Sequence, residues 1–277
     1  MQNKDIVGQW SESAPYWEKY RPAVREMFAP VAQALIEDAG IASRSAVLDV
    51  ATGTGEPALS IADVVGPEGR VVGVDPAQEM VEYARCEAVR LNLHHAGFQV
   101  AFSDNLPFPD GAFDAVVSRF GVMFFPSPED SVREMLRVLK PHGRLALAVW
   151  HSAEKNPFDY VFSRIVDRYL EPTPQAPGSA NMFRFAKPGD LLAVLSRSGA
   201  NVVSERLLQF SIRASMSAEK FWTLRSEMSE KLRTRLALLS QPQWAEIRRE
   251  VIEALQAYSS DGAVSFPAEV LIVSGAK

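Results

Sequence analysis

One cysteine, Cys86, occurs in 277 residues, so no internal disulfide can form and a reducing compartment is expected. Its position inside a helical pattern reads as packing rather than as a nucleophile. Positive charge is also in short supply. A net charge of −5, with no cluster of Lys or Arg, offers no footprint for a phosphate backbone and excludes nucleic acid as the main partner. No apolar run approaches the roughly 18 residues a membrane span requires, and "MQNKDIVGQWSESAPYWEKY" lacks the apolar centre of a signal peptide. The chain is therefore expected to be cytoplasmic and away from membranes. Internal repeats and low-complexity segments are missing as well. Hydrophobic and charged fractions of 47% and 23% exclude a fibrous or disordered chain, and the length suits one core with an elaboration.

From Ser45 onward, short β-branched runs alternate with longer helical patterns, the signature of a parallel sheet covered by helices. The pattern predicts strands at 46–50, 69–75, 98–104, 113–120 and 144–150, with helices at 57–65, 77–92 and 127–139. The last helix puts Val132, Met135, Leu136 and Leu139 on one face and stops at Pro141 and Gly143. A doubly wound α/β fold follows, with its binding crevice at the carboxyl ends of the strands. Before it come Trp10, Tyr16, Trp17 and Tyr20 and an amphipathic helix after Pro22. After Trp150 come a Pro-rich loop (171–180), a helix (188–198) and strands at 202–212 and 264–277. The helical stretch 217–258 is too long for a hairpin loop and reads as an inserted cap. Three units are expected: a helical lid (1–44), a binding core (45–151) and a sheet-completing part with a substrate-side cap (152–277).

The most informative stretch is "VLDVATGTGEPALSIA", residues 47–62, where a strand runs into two glycines and then a helix. A dinucleotide turn carries G-x-G-x-x-G, its third glycine allowing the helix to pack closely. Here Gly53 and Gly55 are followed by Pro57 and Ala58, and Ala51 stands where a further glycine could sit. That pattern argues against NAD and for a different adenosine ligand.

On these residues the chain resembles the class I S-adenosylmethionine-dependent methyltransferases, in particular the small-molecule branch that includes the ubiquinone and menaquinone biosynthesis enzymes. "VLDVATGTGEPAL", "VVGVDPAQEMVEYAR", "SDNLPFPDGAFDAVVSRFGVMFF" and "MLRVLKPHGRLALAVW" match the family's motifs in order, across about residues 45–151. The resemblance implies a Rossmann-like seven-stranded sheet in the order 3-2-1-4-5-7-6 with the last strand antiparallel, and S-adenosylmethionine as cofactor. It implies that Ala51, Gly53 and Gly55 give room for the cofactor, that Asp49 lies near its amino group and that Asp75, with Pro76, meets the ribose. Met80 would pack on the adenine. Asp104 would accept from the adenine amino group, with the backbone of Asn105 or Leu106 reading the ring edge. Arg119, through its backbone, and Phe120 would line the cofactor, and Tyr20 would close over it. A strand-end Asp49 that caps the turn, an Asp75 that caps the following helix and a Met80 in the core are the structural alternatives.

Methyl transfer needs an in-line acceptor and no metal, and positioning alone can supply about 7 to 11 kcal/mol of the barrier. Where the acceptor must lose a proton, His151 is the candidate base, with a solvent-facing turn residue as the alternative. Tyr16, Met123, Phe124, Phe125, Trp150, Phe158 and Phe183 offer a bulky lining for an apolar or aromatic small molecule. Neither an Asn/Asp-Pro-Pro-aromatic sequence after the fourth strand nor a Pro-Cys pair is present, which argues against methylation of nucleic-acid bases. The expected function is methyl transfer to O, N or C of such a molecule; the alternative is a non-catalytic cofactor-binding or interaction protein.

Overall fold

Val and Ile lose little by standing on a pleated surface, and the runs "AVLDV", "RVVGVD" and "FDAVVSR" form neighbouring strands at the middle of one sheet. The computed structural model describes residues 3–171 and 180–277; most of the Pro-rich loop foreseen at 171–180 lies outside the described residues. In chain order the strands are β1 (Ala46–Val50), β2 (Arg70–Asp75), β3 (Ala96–Val100), β4 (Phe113–Arg119), β5 (Leu139–Trp150), β6 (Asn201–Ala214), the two-residue β7 (Ser259–Ser260) and β8 (Ala263–Ala276). They assemble as β3-β2-β1-β4-β5-β8-β6, with β7 pairing only to β8. Leaving out β7, this is the order expected. Pairings from β3 through β5 are parallel, and β8 runs antiparallel to both β5 and β6.

Two helices precede the sheet, α1 (Asn3–Lys19) and α2 (Arg21–Asp38). Pro22 lies in the first turn of α2, where its missing N–H removes no helical bond. The helix buries Val31 and Leu35 completely against the sheet, each burial contributing about 1.5 to 3 kcal/mol. The crossovers are α3 (Ala58–Val65), α4 (Gln78–Arg90) and α5 (Pro128–Val138), followed by α6 (Pro157–Val166) and α7 (Asp190–Arg197). Between β6 and β8 the chain inserts α8 (Ala218–Met228), α9 (Glu230–Leu236) and α10 (Gln241–Leu255). Ser217 and Ser229 cap the first two, and Ser240 with Gln243 forms a capping box on the third.

Three local expectations are corrected. The third strand ends at Val100, not 104, because the chain turns and bridges Phe102 to Asn105. Helix α5 ends at Val138 and β5 begins at Leu139, since Pro141 disfavours helical backbone just before it; Leu139 is buried as a strand residue. Cys86 lies on the exposed face of α4 and is not a packing residue.

A close approach joins β4 to the turn after β1. A Cβ built on Gly121 would lie 2.5 Å from the Ala51 Cβ and 2.7 Å from the Ser118 Oγ. Gly121→Ala is therefore expected to lower the unfolding free energy by about 1 to 3 kcal/mol. Chemical denaturation of the two proteins checks this, and equal midpoints would show that the two turns are not in contact.

Candidate active site

Strand β1 ends on Asp49 and Val50, and β2 ends on Asp75 one strand away, so the parallel register brings two acidic side chains to the same edge of the sheet. Both are buried. Asp49 Oδ2 accepts from the Thr52 hydroxyl at 2.7 Å and from the Ala58 N–H, in the first turn of α3, at 3.2 Å. Asp75 Oδ1 accepts from the Ala77 N–H and Oδ2 from the Gly53 N–H, both at 3.0 Å. The turn between them thus hangs from two carboxylates. Burial pushes the Asp49 carboxyl up to about 7 and that of Asp75 up to about 6, against these hydrogen bonds.

The turn is strained as well as bare. Ala51 has φ +61°, Gly53 +56° and Gly55 +107°. The first is costly for an L-residue with a side chain, which explains why a glycine could have been expected there. A Cβ at Gly55 would strike Leu59, whereas one at Gly53 would meet nothing within 4 Å. Space therefore opens at Gly53, beside Asp75.

Arg119 closes the third side. Its guanidinium donates to the Glu56 carbonyl at 3.0 Å and lies 5.7 Å from the Phe28 ring, and burial lowers its pKa. Sequence reasoning assigned only its backbone to the site. Phe120, held at φ +61°, stacks on Trp150 with ring centres 4.3 Å apart and planes 4° from parallel. Phe158 packs on Trp150 at 4.8 Å, and Phe28 of α2 stands edge-on to all three rings. Phe120, Trp150 and Phe158 were foreseen in the site; Phe28 was not, although its helix was.

Several foreseen residues have other neighbours. Met80 is buried with Ala14 and Ala77, against Trp10 and Trp17 of α1. Asp104 and Asn105 are exposed in the turn after β3. The Asn105 N–H donates to the Phe102 carbonyl and the Leu106 N–H to Glu134 Oε2, so neither amide is left over to read a ring edge. Leu106 itself is in the core. The Tyr20 hydroxyl donates to Glu227 Oε2 of α8 at 2.7 Å, and the Lys19 ammonium donates to the same oxygen at 2.6 Å. Tyr16 lies under the guanidinium of Arg233, 4.6 Å from ring centre to Cζ. Met123 and Phe125 are buried, and Phe124 packs edge-on to Trp10. Phe183 is half-buried, its N–H donating to Asn181 Oδ1, while Arg184 donates to the Phe125 carbonyl. Pro76 is half-buried between Asp75 and the start of α4.

His151 continues the ladder of β5 beyond Trp150. Trp150 pairs with Val270, and the His151 N–H donates to the Glu269 carbonyl at 3.1 Å. Its Nδ1 is buried without a hydrogen bond among the described residues, 3.8 Å from Glu269 Oε2. Gln209, paired with Glu269 in the β6–β8 register, donates to the other carboxylate oxygen at 3.0 Å. Asn156 ties the corner, donating to the carbonyls of His151, Ser152 and Glu269 and accepting from the Glu269 N–H. Sequence reasoning found His151 and missed Glu269, Gln209 and Asn156, which only strand register brings to it.

Does this edge of the sheet fit S-adenosylmethionine? Asp49 Oδ1 is buried and has no hydrogen-bond donor among the described residues. A carboxylate in that state is completed by a cation or a donor, and the cofactor carries an ammonium and a sulfonium charge. Open space at Gly53 next to the Asp75 carboxylate suits ribose hydroxyls, which a paired carboxylate can accept. The residues fit the group.

The comparisons agree with this geometry. Residues 48–147 match the model of the methyltransferase domain family. The ubiquinone/menaquinone biosynthesis C-methyltransferase UbiE of Pseudomonas fluorescens (strain SBW25) is 36% identical over 135 residues, 48% of this chain and 51% of that protein. A demethylmenaquinone methyltransferase of Listeria monocytogenes is 40% identical over 100 residues, 36% of this chain and 42% of that protein. The chain thus spans about half the length of the curated relatives it matches. Among solved structures, the YcgJ protein of Bacillus subtilis superposes with a TM-score of 0.57 at 22% identity, covering 89% of this chain and 97% of that one, a likeness of fold.

The two carboxylates make stability depend on pH. Each folded-state pKa lies above the value of about 3.9 for an unfolded Asp, so the folded chain holds the extra protons. Their contribution is complete below pH 4 and is lost as pH rises through 6 and 7. The ligand-free protein is expected to be more stable at pH 5 than at pH 8 by at least about 1 kcal/mol, and Asp49→Asn to flatten that slope. Denaturation at the two pH values measures both; an unchanged slope in the variant would mean that Asp49 ionises normally. Residues 48–147 thus match the methyltransferase domain family, and the two buried carboxylates and the glycine turn of the site lie within that matched stretch.

Proposed function

We propose that the chain transfers a methyl group from S-adenosylmethionine to O, N or C of an apolar or aromatic small molecule. The observation that carries this reading is the buried Asp49 Oδ1, without a donor among the described residues, together with the open space at Gly53 beside Asp75. Asp49 would hold the cationic amino-acid end and Asp75 the ribose. The exposed carboxylate of Asp104 remains available for the adenine amino group. When bound, the cofactor supplies a methyl group on a positively charged sulfur, open to direct displacement.

The chain's own contribution is positioning and exclusion of water. Arg119, anchored on the Glu56 carbonyl, holds the rim of the turn, and Phe120 and Trp150 give the acceptor a flat apolar wall. Helix α1 would act as a lid and α8–α10 as a cap, fastened to each other through Glu227 and Arg233. Where the acceptor releases a proton, His151 Nε2 would receive it, with the Glu269 carboxylate 3.8 Å from Nδ1 on the other side of the ring. The relatives named as quinone-pathway C-methyltransferases favour a carbon acceptor, but the cap helices lie outside the matched domain, so the acceptor need not be theirs. Among the described residues no helix is long and apolar enough to cross a membrane.

The test is calorimetric titration with S-adenosylmethionine, S-adenosylhomocysteine and NAD. Both sulfur nucleotides are expected to bind and NAD to give no heat. Asp75→Ala is expected to weaken the binding of S-adenosylhomocysteine by about ten- to a hundredfold, as loss of a charged hydrogen-bond acceptor would. Silence from both nucleotides with folded protein would end the methyltransferase reading, and unchanged affinity in the variant would remove Asp75 from the ribose site.

A further inference from the structure

Helix α8 carries a guanidinium into an aromatic cluster. The Arg225 side chain is only 14% exposed, and its Cζ lies 4.9 Å from the Phe158 ring centre and 5.8 Å from that of Phe162. Its surroundings on α8 are the buried Phe221, Trp222, Leu224 and Met228. One terminal nitrogen donates to Asp159 Oδ1 of α6 at 2.7 Å. The Nε is buried and has no partner among the described residues.

A guanidinium presents five N–H donors in a rigid fork that grips a carboxylate with two parallel bonds. A pair whose only task was to tie α8 to α6 would be expected to use that fork. Here Asp159 engages one prong, and the buried Nε–H has no partner among the described residues. Burying an incompletely paired charge among rings is costly, so the arrangement calls for a second acceptor.

The rings give that acceptor a direction. Arg225 stands on Phe158, Phe158 packs on Trp150 at 4.8 Å, and Trp150 stacks on Phe120 at 4.3 Å. Phe120 directly follows Arg119, whose guanidinium holds the Glu56 carbonyl beside the glycine turn. One line of aromatic contacts therefore runs from the cofactor turn to Arg225. Position 225 lies in the inserted helices, outside the matched domain of residues 48–147, where acceptor recognition is free to differ from that of the relatives.

We infer that Arg225 anchors the acceptor and that the acceptor is an aromatic acid, its carboxylate on Arg225 and its methyl-accepting end beside Phe120. This rests on the methyltransferase reading and names its substrate class. The Asp159 contact orients the fork and keeps the guanidinium in place when the acceptor is away. Neutral aromatic molecules of the same shape would fill the wall and leave the charge unmatched, which makes Arg225 a specificity-determining residue.

The experiment is a calorimetric titration of the protein saturated with S-adenosylhomocysteine, using a set of hydroxynaphthoates and hydroxybenzoates and their matched primary amides. At least one carboxylate is expected to bind about tenfold or more tightly than its amide, the scale of a charge-assisted hydrogen bond. Arg225→Met is expected to bring the two within about threefold while the affinity for S-adenosylhomocysteine stays the same. Should that variant unfold, Arg225→Lys serves in its place, retaining charge but not the fork, with an intermediate preference. Equal binding of acids and amides, no binding of either, or a preference that survives the loss of Arg225 would overturn the inference while leaving the cofactor site standing. Failure of S-adenosylhomocysteine to bind at all would instead remove the methyltransferase reading, and this inference with it.

Discussion

A carboxylate buried at the end of a central strand is the constraint around which this molecule is organised. Asp49 sits where water cannot reach it, and the chain answers with the Thr52 hydroxyl and the first free amide of α3. Those two bonds fix the direction in which the backbone leaves β1 and the point at which the helix begins. Asp75 repeats the device on the neighbouring strand, gripping the Gly53 amide from the other side. The turn is held at both ends, so its left-handed residues persist even where one of them is alanine. What results is a turn tied to two carboxylates, with one Asp49 oxygen lacking a donor among the described residues.

Around that turn the rest of the site is laid down by sheet register and not by local sequence. Arg119 reaches the turn because β4 lies against β1, and Gly121 must lack a side chain because the two turns touch. Trp150 meets Phe120 because β5 is the next strand along, and His151 meets Glu269 because β8 returns antiparallel beside it. Each contact is thus a consequence of strand order. The polar groups distal to the turn, from Glu227 to Arg233, tie α1 to the inserted helices across more than two hundred residues of chain.

That division also sets what could be read from the sequence. Strands β1, β2 and β4 announced themselves through β-branched runs bounded by turn residues, and the two aspartates were singled out through the family's motifs. The third strand was overextended because "AFSD" keeps an apolar look after the hydrogen bonding has stopped, with Phe102 exposed in a turn. The α5–β5 boundary was missed because Leu139 satisfies a helical face and a strand equally well. Tyr20 stood out among the N-terminal aromatics, but its partner Glu227 did not, since nothing local in "LRSEMSE" marks one glutamate out from another. Phe28, Arg225 and Glu269 were illegible for the same reason: their roles depend on neighbours that only the fold supplies.

The inserted helices enter the chain between β6 and β8, which are already paired to each other along twelve register positions. The two ends of the insertion are therefore held together whatever its length, and the entropy of closing such a loop grows only slowly, by about 0.6 kcal/mol per doubling. The glycine turn lies on different strands and shares no segment with it. Selection could accordingly lengthen, shorten or replace this part of the protein while the glycine turn stays as it is. The fold behaves as a fixed handle with an exchangeable tool, the exchangeable part being one contiguous stretch of sequence.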